Sequence, residues 1–509
     1  MGSFSGLLYS GILAIGISYM YSRYGKSGES VFTVENTVMD AWTRIIQPPA
    51  LTWKKVVVGI NCNVDLVVSG SGLMSTLKLR PTEGRDHQVI GSLPELQETF
   101  SYFFRSGMPA ERYISDANVF RMAQHVAEHE MTKHEAEFRI GGNAALMAQK
   151  LASSYAKTQV LLVGPVGPRS KALLHPNVVI HNSTRISRDE LHLVMEFKTG
   201  QIWGEYVAPA SNRFIVSHDI FSTSSVVIDM FFKTIASYKP DLVALSGVHL
   251  LNFQQKELWQ EKLKVLKRNL GQLNSLLPIH FQLGSMTDSR EFTSNVLHRI
   301  VPMVDSLSLN EMELAWLTQV GGGPYAEGAD APVSGTMHAY KAVEILHWLI
   351  QNFGKDTSNP DSKRVKFRLQ RIHFHCLTYH LMVTRGADWS NSAAALAAGA
   401  KLSATQSCAG KDLTGSSAEL RTSDSFIRDR LQIASIVTGV PGDGRTEGRT
   451  YRFNPHQPLV SWMRDGVLFT FTPALVCKQP LRSVGLQDSI SIQALAYSQF
   501  YRFKQGSKN

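Results

Sequence analysis

The chain has 509 residues, of which 43% are hydrophobic and 18% are charged, and its formal net charge at pH 7 is +10. A chain of this length and apolar content can bury a large core, which excludes overall disorder and predicts one large domain with a smaller one. The basic residues are scattered, without an arginine-rich block or a basic repeat interleaved with aromatic residues, which argues against nucleic-acid binding. The positive charge permits attraction to anions, including nucleotides, phosphate and acidic membrane surfaces.

Residues 1–22 form a hydrophobic segment, which predicts a membrane anchor or a signal segment. Gly6 to Tyr21 is uncharged and mostly apolar, and Arg23 and Lys26 follow it. No basic residue precedes the run and no small-residue cleavage site follows it, which favours an uncleaved anchor in a membrane of the endoplasmic reticulum or secretory pathway. The positive-inside tendency then places the body of the chain on the cytosolic side. Residues 23–50 are predicted to be a tether.

The cysteines leave the redox compartment open. They are widely spaced, which indicates neither a disulfide scaffold nor a zinc-binding pattern: Cys62, Cys376, Cys408 and Cys477. One pair can still be oxidised in a secretory compartment, and the sequence does not choose the partners. Asn182-Ser183-Thr184 is a glycosylation acceptor only if the body of the chain is lumenal.

Residues 51–503 alternate short β-branched strands with amphipathic helices. Strands are predicted at 56–60, 160–163, 241–245 and 278–281 and around His373. This alternation indicates an α/β fold with a mostly parallel sheet and helices on both faces. Two stretches, about 66–135 and 188–216, fit the alternation poorly. Three segments rich in Gly, Ser, Pro, Asp and Arg are predicted to be surface loops: 321–335, 354–365 and 409–449.

Polar residues follow predicted strands or begin predicted helices at five places, and ligands bind at the carboxyl ends of parallel strands. The candidates are Asn63 and Asp65, Gly142 and Asn143, Gln282 in His280-Phe281-Gln282, Asn310 and Glu313, and Gly485-Leu486-Gln487-Asp488. Asn63 and Asp65 point to the same side of an extended chain and can hold adjacent sugar hydroxyls, although on sequence alone a turn-forming Asn-x-Asp explains them better. Gly142 and Asn143 are explained equally by a helix N-cap.

Gly485 to Asp488 is the most informative of these motifs. An apolar strand at 467–476 precedes it, and a helix is predicted from Ser489 to Tyr497. Backbone N–H groups at a helix N-terminus can hold a phosphate, and a carboxylate beside them can accept a proton from an attacking hydroxyl. This arrangement suits phosphoryl transfer. By itself the motif is weak evidence, because most turns of this kind are ordinary helix starts with Asp as the cap.

In this order and spacing the motifs resemble the ADP-dependent sugar kinases of the ribokinase-like superfamily, most closely the ADP-dependent glucokinases of animals. The resemblance extends over about residues 50–503 and includes Asn212-Arg213-Phe214-Ile215. It implies a ribokinase-like, mostly parallel sheet with a smaller α+β lid domain formed by about residues 66–135 and 188–216. Lid closure excludes water, which would compete with the sugar as the phosphoryl acceptor.

The resemblance also implies roles for single residues. Glucose is bound by Asn63, Asp65, Gly142 and Asn143. Arg213 lies against the transferring phosphate, where a guanidinium stabilises negative charge, although a solvated arginine is the ordinary alternative. Asp488 is the general base, and the N–H groups of Gly485 to Asp488 form the anion hole. Glu313 and Asp488, with Gln282 as a doubtful third member, are predicted to place one or more Mg²⁺ ions beside the phosphates of ADP.

The chain departs from the family pattern at two positions. Gln282 replaces the carboxylate of the H-x-E motif, so it supplies no negative charge to a metal site. Gln487 replaces the second glycine of the G-x-G-D motif. If that position needs a positive φ, a side chain there costs about 1–2 kcal/mol. The two changes predict weaker metal binding and slower turnover.

Three other patterns are discounted. His125-Val126-Ala127-Glu128-His129 matches an inverted zinc-protease motif, but no distant third ligand can be identified. His373, His375 and His380 occupy a strand and its exit, where two-residue alternation accounts for them. Gly442-Asp443-Gly444 lies in a polar loop with no strand leading into it.

The sequence therefore predicts an ADP-dependent glucokinase that uses glucose and Mg·ADP, binds no nucleic acid, attaches to a membrane through its N-terminal segment and is a monomer. The alternative is a weakly active or inactive kinase-like protein that senses sugar or nucleotide. Gln282 and Gln487 are the residues that favour this alternative.

Overall fold

A computed structural model of the chain describes residues 33–49, 52–129, 136–284, 289–326, 337–355, 367–408, 417–420, 453–478 and 485–502. Within these ranges, strands are numbered β1 to β22 and helices α1 to α13 in chain order. The predicted anchor at 1–22, residues 23–32 and 50 of the predicted tether, Gly442-Asp443-Gly444 and most of the three predicted loops lie outside the described residues. Within the predicted tether, Val34–Ile45 instead forms a helix whose Val38 and Trp42 are buried in a small core. No helix in the described ranges has the length and apolar character needed to cross a membrane.

A ten-stranded, mostly parallel sheet forms the large domain, in the order β19-β20-β16-β15-β14-β13-β12-β1-β6-β7. Its strands are β1 (Lys55–Gly59), β6 (Gln159–Val163), β7 (Val178–Ile180), β12 (Leu242–Leu245), β13 (Ile279–Gln282), β14 (Ser306–Asn310), β15 (Arg371–His375), β16 (Tyr379–Arg385), β19 (Val460–Arg464) and β20 (Val467–Pro473). All neighbours from β7 to β15 pair in parallel, whereas β16, β20 and β19 add antiparallel pairs at one edge.

Helices cover both faces of this large sheet, as predicted. Val57 and Val243 belong to the core on one face, and Val56 and Leu242 belong to the core on the other. Alternate residues of these strands are therefore buried in opposite directions, which is why the strands read as continuous apolar runs. The α/β class with a ribokinase-like sheet is confirmed by the sheet order and by the structural comparison given below.

The helices connect these strands. They are α1 (Val34–Ile45), α2 (Gly70–Thr76), α3 (Leu93–Ser106), α4 (Ala117–His129), α5 (Asn143–Ser154), α6 (Pro168–Leu173), α7 (Ser225–Tyr238), α8 (Lys256–Gln272), α9 (Arg290–Arg299), α10 (Glu311–Gly321), α11 (Ala339–Phe353), α12 (Ser392–Ser407) and α13 (Leu486–Tyr497). Short 3-10 helices occupy Asn182–Thr184, Val248–Phe253 and Val301–Met303.

A second, six-stranded sheet forms the smaller domain, in the order β3-β4-β11-β8-β2-β5. Its strands are β2 (Asn63–Ser69), β3 (Val89–Ile90), β4 (Ala110–Ile114), β5 (Ala136–Gly141), β8 (Leu191–Phe197) and β11 (Asn212–Ser217). One face packs on α3 and α4 through a core that contains Leu66, Phe100 and Phe214. This sheet begins at Asn63 and includes 136–141, so it is wider than the predicted lid segments. Pairing of β2 with β5 from Asn63 to Val68 accounts for the extension.

Three two-stranded pairs complete the described structure: β9 (Ile202–Trp203) with β10 (Tyr206–Val207), β17 (Trp389–Ser390) with β22 (Gln499–Phe500), and β18 (Ala418–Leu420) with β21 (Leu475–Cys477). A disulfide bond joins Cys408, at the end of α12, to Cys477 in β21, with 5.5 Å between the two Cα atoms. Cys62 and Cys376 are buried free thiols. The structure thus shows which two cysteines are paired, a choice that the sequence did not make.

Candidate active site

A cavity of about 590 Å³ lies between the small sheet and the carboxyl ends of the large sheet. It brings together residues that are up to 427 positions apart in the chain, from Asn61 to Asp488. The predicted site residues that line it are Asn63, Asp65, Gly142, Asn143, Arg213, Glu313, Gly485 and Asp488. All five motifs were expected at the carboxyl ends of strands of the parallel sheet. This expectation was wrong for Gly142, which follows β5 of the small sheet.

The wall formed by the small sheet carries Asn63 and Asp65. The Nδ2 atom of Asn63 donates a hydrogen bond to Oδ1 of Asp65 at 2.7 Å, so the two side chains lie on the same side of β2. Burial raises the pKa of Asp65, and the nearby His192 and the hydrogen bond from Asn63 partly oppose this shift. A buried carboxylate with a single protein hydrogen bond retains acceptor capacity for ligand hydroxyls.

His192 lies beside Asp65 because β2 and β8 pair in parallel with these two residues in register. Its Nε2 atom is 2.7 Å from Oδ2 of Asp219. Burial lowers the pKa of His192, but the charge and hydrogen bond of Asp219 outweigh burial and raise the pKa to about 10. His192 is therefore a cation at neutral pH. Sequence reasoning missed this residue as a site residue, because the cross-strand register that brings it to Asp65 has no local pattern in the chain.

Two more residues that the sequence did not single out line the cavity. Glu111, in β4, lies within 3.9 Å of a ring nitrogen of His192 and within 3.8 Å of one of His249. Burial lowers the pKa of His249 to about 4, so this histidine is neutral. A carboxylate, a cationic imidazole and a neutral imidazole thus lie together on the same side of the cavity as Asp65.

Arg213 lies on β11 directly opposite Glu196 of β8. Burial lowers the pKa of its guanidinium, and the carboxylates of Glu196, Asp65, Glu111 and Asp488 act in the opposite direction. Arginine remains charged at neutral pH despite such a shift. The cavity therefore contains a half-buried fixed cation on the side of the small sheet, rather than the solvated arginine that was the ordinary alternative.

The opposite wall includes the N-terminus of α13. This helix begins at Leu486, three residues before the predicted start, and Gly485 is its N-cap with a φ of +70°. A Cβ atom at position 485 would also lie 2.8 Å from Cδ1 of Leu146, so glycine is required there for conformation and for space. The first N–H groups of the helix have no intrahelical acceptor and can bind an anion.

Gln487 lies within the first turn of α13, so its backbone is helical and needs no positive φ. The strain considered for this position therefore does not arise. Its side chain contacts other site residues instead, because the amide nitrogen donates to Glu313 at 2.9 Å and 3.2 Å and the amide oxygen accepts from Asn310 at 2.9 Å.

Asp488 lies in the same first turn and is buried. The Nδ2 atom of Asn143 donates to Oδ1 of Asp488 at 2.9 Å, and Asn61 in turn contacts Asn143. Burial raises the pKa of Asp488 to about 6. Gly142 is the N-cap of α5, so the Asn143 side chain orients the carboxylate rather than capping its own helix. A carboxylate with this pKa is ionised at neutral pH and is basic enough to accept a proton.

Glu313 lies in the first turn of α10 and forms a capping box with Asn310, in which Oε2 of Glu313 accepts from the Asn310 backbone at 2.9 Å. Burial raises the pKa of Glu313 to about 8, against the hydrogen bonds from Gln487 and Asn310. Both carboxyl oxygens thus accept N–H donors from the protein.

Gln282 does not lie where the predicted metal role requires. Its side chain is fully buried at the end of β13, and it is not among the residues that line the cavity. The amide nitrogen donates to the backbone oxygen of Leu283 at 2.9 Å, and the amide oxygen has no hydrogen-bond partner. The reason is topological: an alternating strand aims position 282 beneath the site rather than into it.

The described residues contain no group of three or more His, Cys, Asp or Glu side chains arranged to hold a metal ion. Gln282 lies outside the cavity lining and does not fit the predicted metal role, whereas Glu313 and Asp488 both line the cavity and are the carboxylates that could place a Mg²⁺ ion beside the phosphates. In the described residues, neither His125 and His129 on α4 nor the three histidines of β15 and β16 belong to a group arranged to hold a metal ion.

The arrangement can perform one kind of chemistry well. A carboxylate with a raised pKa, a helix N-terminus and a half-buried guanidinium line one cavity, together with polar groups suited to hydroxyls. The fold and the site together define a phosphotransferase that acts on a hydroxylated substrate.

The comparisons with known proteins agree. Residues 54–497 match the family model described as the ADP-specific phosphofructokinase/glucokinase conserved region. The chain therefore belongs to the ADP-specific phosphofructokinase and glucokinase family.

Similar proteins extend over nearly the whole chain. A Caenorhabditis elegans protein named probable ADP-dependent glucokinase is 46% identical over 503 residues, which cover 98% of this chain and 96% of that protein. The ADP-dependent glucokinase of Bos taurus is 37% identical over 468 residues, which cover 92% and 89%. A solved structure described as an ADP-dependent kinase complex with fructose-6-phosphate and ADPbetaS has a TM-score of 0.64 at 17% identity and covers 91% of this chain and 97% of that chain, so it shows the shared fold.

Proposed function

We propose that this chain is an ADP-dependent glucokinase that transfers the β-phosphoryl group of ADP to the 6-hydroxyl of D-glucose, giving glucose 6-phosphate and AMP. The observation that carries the proposal is the position of Asp488, which lines the same cavity as Asp65 and Arg213 at the N-terminus of α13. The names of the Caenorhabditis elegans and Bos taurus relatives support ADP as the donor and glucose as the acceptor.

Each part of the reaction has a residue suited to it. Asp65, with Asn63 and His192, binds sugar hydroxyls, because this group offers both acceptors and donors. Asp488, oriented by Asn143, accepts the proton of the attacking hydroxyl. The N–H groups at the start of α13 and the Arg213 guanidinium stabilise the negative charge of the phosphoryl group as it moves.

Mg²⁺ enters this proposal as part of the substrate, as Mg·ADP. Glu313 and Asp488, which line the cavity, are the residues that would hold the ion beside the phosphates, and we assign no step to it. The neutralising charge of the cation arrives with the phosphates of the nucleotide.

A coupled assay for glucose 6-phosphate, with Mg·ADP or Mg·ATP as the donor, tests the proposal. We expect turnover with ADP, little with ATP and about 10³-fold slower turnover for Asp488→Ala. Turnover with neither nucleotide, while calorimetry shows nucleotide or glucose binding, would select the second candidate, a sugar or nucleotide sensor. The observation that favours the sensor is that the Gln487 amide nitrogen donates hydrogen bonds to both carboxyl oxygens of Glu313.

We also propose that the protein is attached through residues 1–22 to a membrane of the endoplasmic reticulum or secretory pathway and is a monomer. The Cys408–Cys477 disulfide supports a lumenal body rather than the cytosolic one expected from the charge distribution, because the cytosol keeps thiols reduced. Asn182 is exposed, so its glycosylation sequence is accessible. An endoglycosidase-sensitive shift in gel mobility that disappears in Asn182→Gln would support the lumenal orientation, and a full-length protein without a glycan would contradict it.

A further inference from the structure

Residues 218–224, which we call the crossing segment, connect the small domain to the large domain. They lead from β11 of the small sheet to α7, which packs against the large sheet. Near the start of the segment Asp219 contacts His192 at 2.7 Å. Near its end, Lys262 of α8 donates to the backbone oxygen of Thr223 at 2.7 Å. The crossing segment is therefore attached to the small domain at one end and to the large domain at the other.

The middle of the crossing segment is held by the buried carboxyl group of Glu190. Its Oε1 atom accepts the backbone N–H of Ile220 at 2.6 Å and also that of Phe221. Its Oε2 atom accepts the backbone N–H of Ser222 at 3.0 Å and the hydroxyl of the same residue at 2.5 Å. The side chains of Ile220 and Phe221 are exposed, so their burial cannot fix this part of the segment. Its position therefore depends on the hydrogen bonds to Glu190.

Glu190 itself lies next to the residues that are suited to sugar hydroxyls. It immediately precedes β8, and its backbone oxygen accepts the N–H of Val64 at 2.8 Å. Val64 lies between Asn63 and Asp65 in β2. The main chain of Glu190 is thus joined to β2 at the sugar-binding residues, while its side chain is joined to the crossing segment.

The carboxyl group can hold the crossing segment in either protonation state. Burial and the negative charge of Asp219 raise the pKa of Glu190 to about 7, and the hydrogen bonds from Ser222 and Phe221 oppose this shift. The ionised group accepts all four hydrogen bonds. In the protonated group, Oε1 still accepts from Ile220 and Phe221, and Oε2 can donate to the Ser222 hydroxyl.

Loss of this carboxyl group would disturb the contact between Asp219 and His192. The N–H groups of Ile220 and Phe221 would lose their acceptor, and backbone N–H groups without a partner in the fold turn to water. Asp219 directly precedes Ile220, so it would move with them and leave its position 2.7 Å from His192. The cationic imidazole in the wall of the cavity would then lose the carboxylate that orients it.

We propose that Glu190 is a positioning residue for sugar binding, which acts through the crossing segment to hold Asp219 against His192. His192 is thereby kept in place beside Asp65. Glu190 is not among the described residues that line the cavity, so it acts through these side chains and not by contact with the ligand. The inference rests on the proposed function for the identity of the sugar as glucose.

Isothermal calorimetry with glucose tests the inference without a need for turnover. Glu190→Ala removes all four hydrogen bonds and should weaken glucose binding about tenfold. Glu190→Gln keeps an acceptor for Ile220 and Phe221 but turns an amide NH₂ group toward the N–H of Ser222, so binding should weaken only about threefold. KM for glucose should rise by the same factors while kcat stays within about twofold of wild type, because Asp488 is not touched.

A double variant shows whether Glu190 acts through Asp219. Asp219→Asn alone should weaken glucose binding about fivefold. Independent effects would multiply to about fifteenfold in Glu190→Gln/Asp219→Asn, whereas action through Asp219 predicts about fivefold, the same as for Asp219→Asn alone. Glu205→Gln, at an exposed glutamate in the turn between β9 and β10, is the control and should not change glucose binding.

Three results would overturn the inference: unchanged glucose affinity in both Glu190 variants, a fall in kcat with unchanged KM, or a double variant weakened by the full product of the single effects. Circular dichroism and thermal unfolding show whether each variant is folded. If Glu190→Ala does not fold, Glu190→Gln and the double variant carry the test. Absence of glucose binding by the wild-type protein would instead count against the proposed function.

Discussion

The two walls of the cavity balance their buried charges in different ways. The wall from the small sheet pairs full charges: His192 contacts Asp219 at 2.7 Å, and Arg213 lies among four carboxylates. The wall from the large sheet surrounds one buried carboxyl group, Glu313, with the amides of Gln487 and Asn310. In the first wall, charged side chains of opposite sign lie next to each other. In the second wall, neutral amide groups donate hydrogen bonds to the carboxyl group.

This difference suggests a division of labour. Sugar hydroxyls are neutral, so a wall that binds them must already be balanced, because buried charges are stable only when paired. A nucleotide brings its own charge and its own counter-ion, so the wall near it can remain close to neutral until the ligand arrives. The four predictions below test this comparison, in order of decreasing expected effect.

The largest effect is expected where the two walls meet. Asp488→Ala removes the proton acceptor and should lower kcat about 10³-fold, within the range for a general base. Calorimetric glucose affinity should change little, because Asp65 and His192 are intact. Asp229→Ala, at an exposed aspartate on α7, is the control. A kcat within tenfold of wild type would remove Asp488 from the proposed mechanism.

Arg213→Lys should lower kcat about 10²-fold, because lysine keeps the charge but loses the planar guanidinium that matches phosphate oxygens. Steady-state kinetics with glucose and ADP, together with thermal unfolding, measure the effect. Arg139→Lys, on the edge strand β5 of the same sheet, is the matched control. If KM for glucose rises while kcat is unchanged, Arg213 belongs to the sugar wall alone.

The pH dependence follows from Asp488, whose pKa is raised by burial to about 6. Only the ionised form accepts a proton, so kcat/KM for glucose should rise through pH 6 and fall about tenfold per unit below it. Stability has the opposite sign. The raised pKa means that the folded state holds the proton more tightly than the unfolded state. This contribution to stability is complete below pH 3.8 and is lost as the pH rises through about 6.

Urea unfolding between pH 4 and pH 8 measures this contribution in the wild-type protein and in Asp488→Asn. The stability of the variant relative to wild type should increase as the pH rises. If an Asp488 variant with residual activity still loses kcat/KM as the pH falls through 6, a group other than Asp488 causes that loss.

The smallest effect is expected from Asp219→Asn, which weakens the charge pair of His192 without touching the cavity lining. KM for glucose should rise about fivefold with kcat nearly unchanged, because ground-state binding is lost. The pH profile of KM should also change, since His192 then loses the partner that raises its pKa. An unchanged KM would mean that the charge of His192 is not used for sugar binding.

Much of this site could be predicted from local patterns. Asp488 and Gly485 follow from a glycine turn before a helix, and the side shared by Asn63 and Asp65 follows from the two-residue period of a strand. By contrast, His192 and Glu111 lie in strands whose partners are far along the chain. Only the register of β2 with β8 brings His192 to Asp65. For Gln282 the local motif misled in the other direction. The motif predicted a metal ligand in the site, but the strand buries the side chain outside the cavity.

The sequence by itself determined the α/β class, the two-domain organisation and the helix-terminal motif that carries Asp488, because these depend on periodicity and on short-range backbone chemistry. It also identified Gln282 and Gln487 as unusual. Only the tertiary structure decided that these two amides meet at Leu283, that Gln487 is bonded to Glu313, and that Cys408 pairs with Cys477. Such contacts join positions tens to hundreds of residues apart, and their geometry is set by sheet register and helix packing, which no local stretch of sequence encodes.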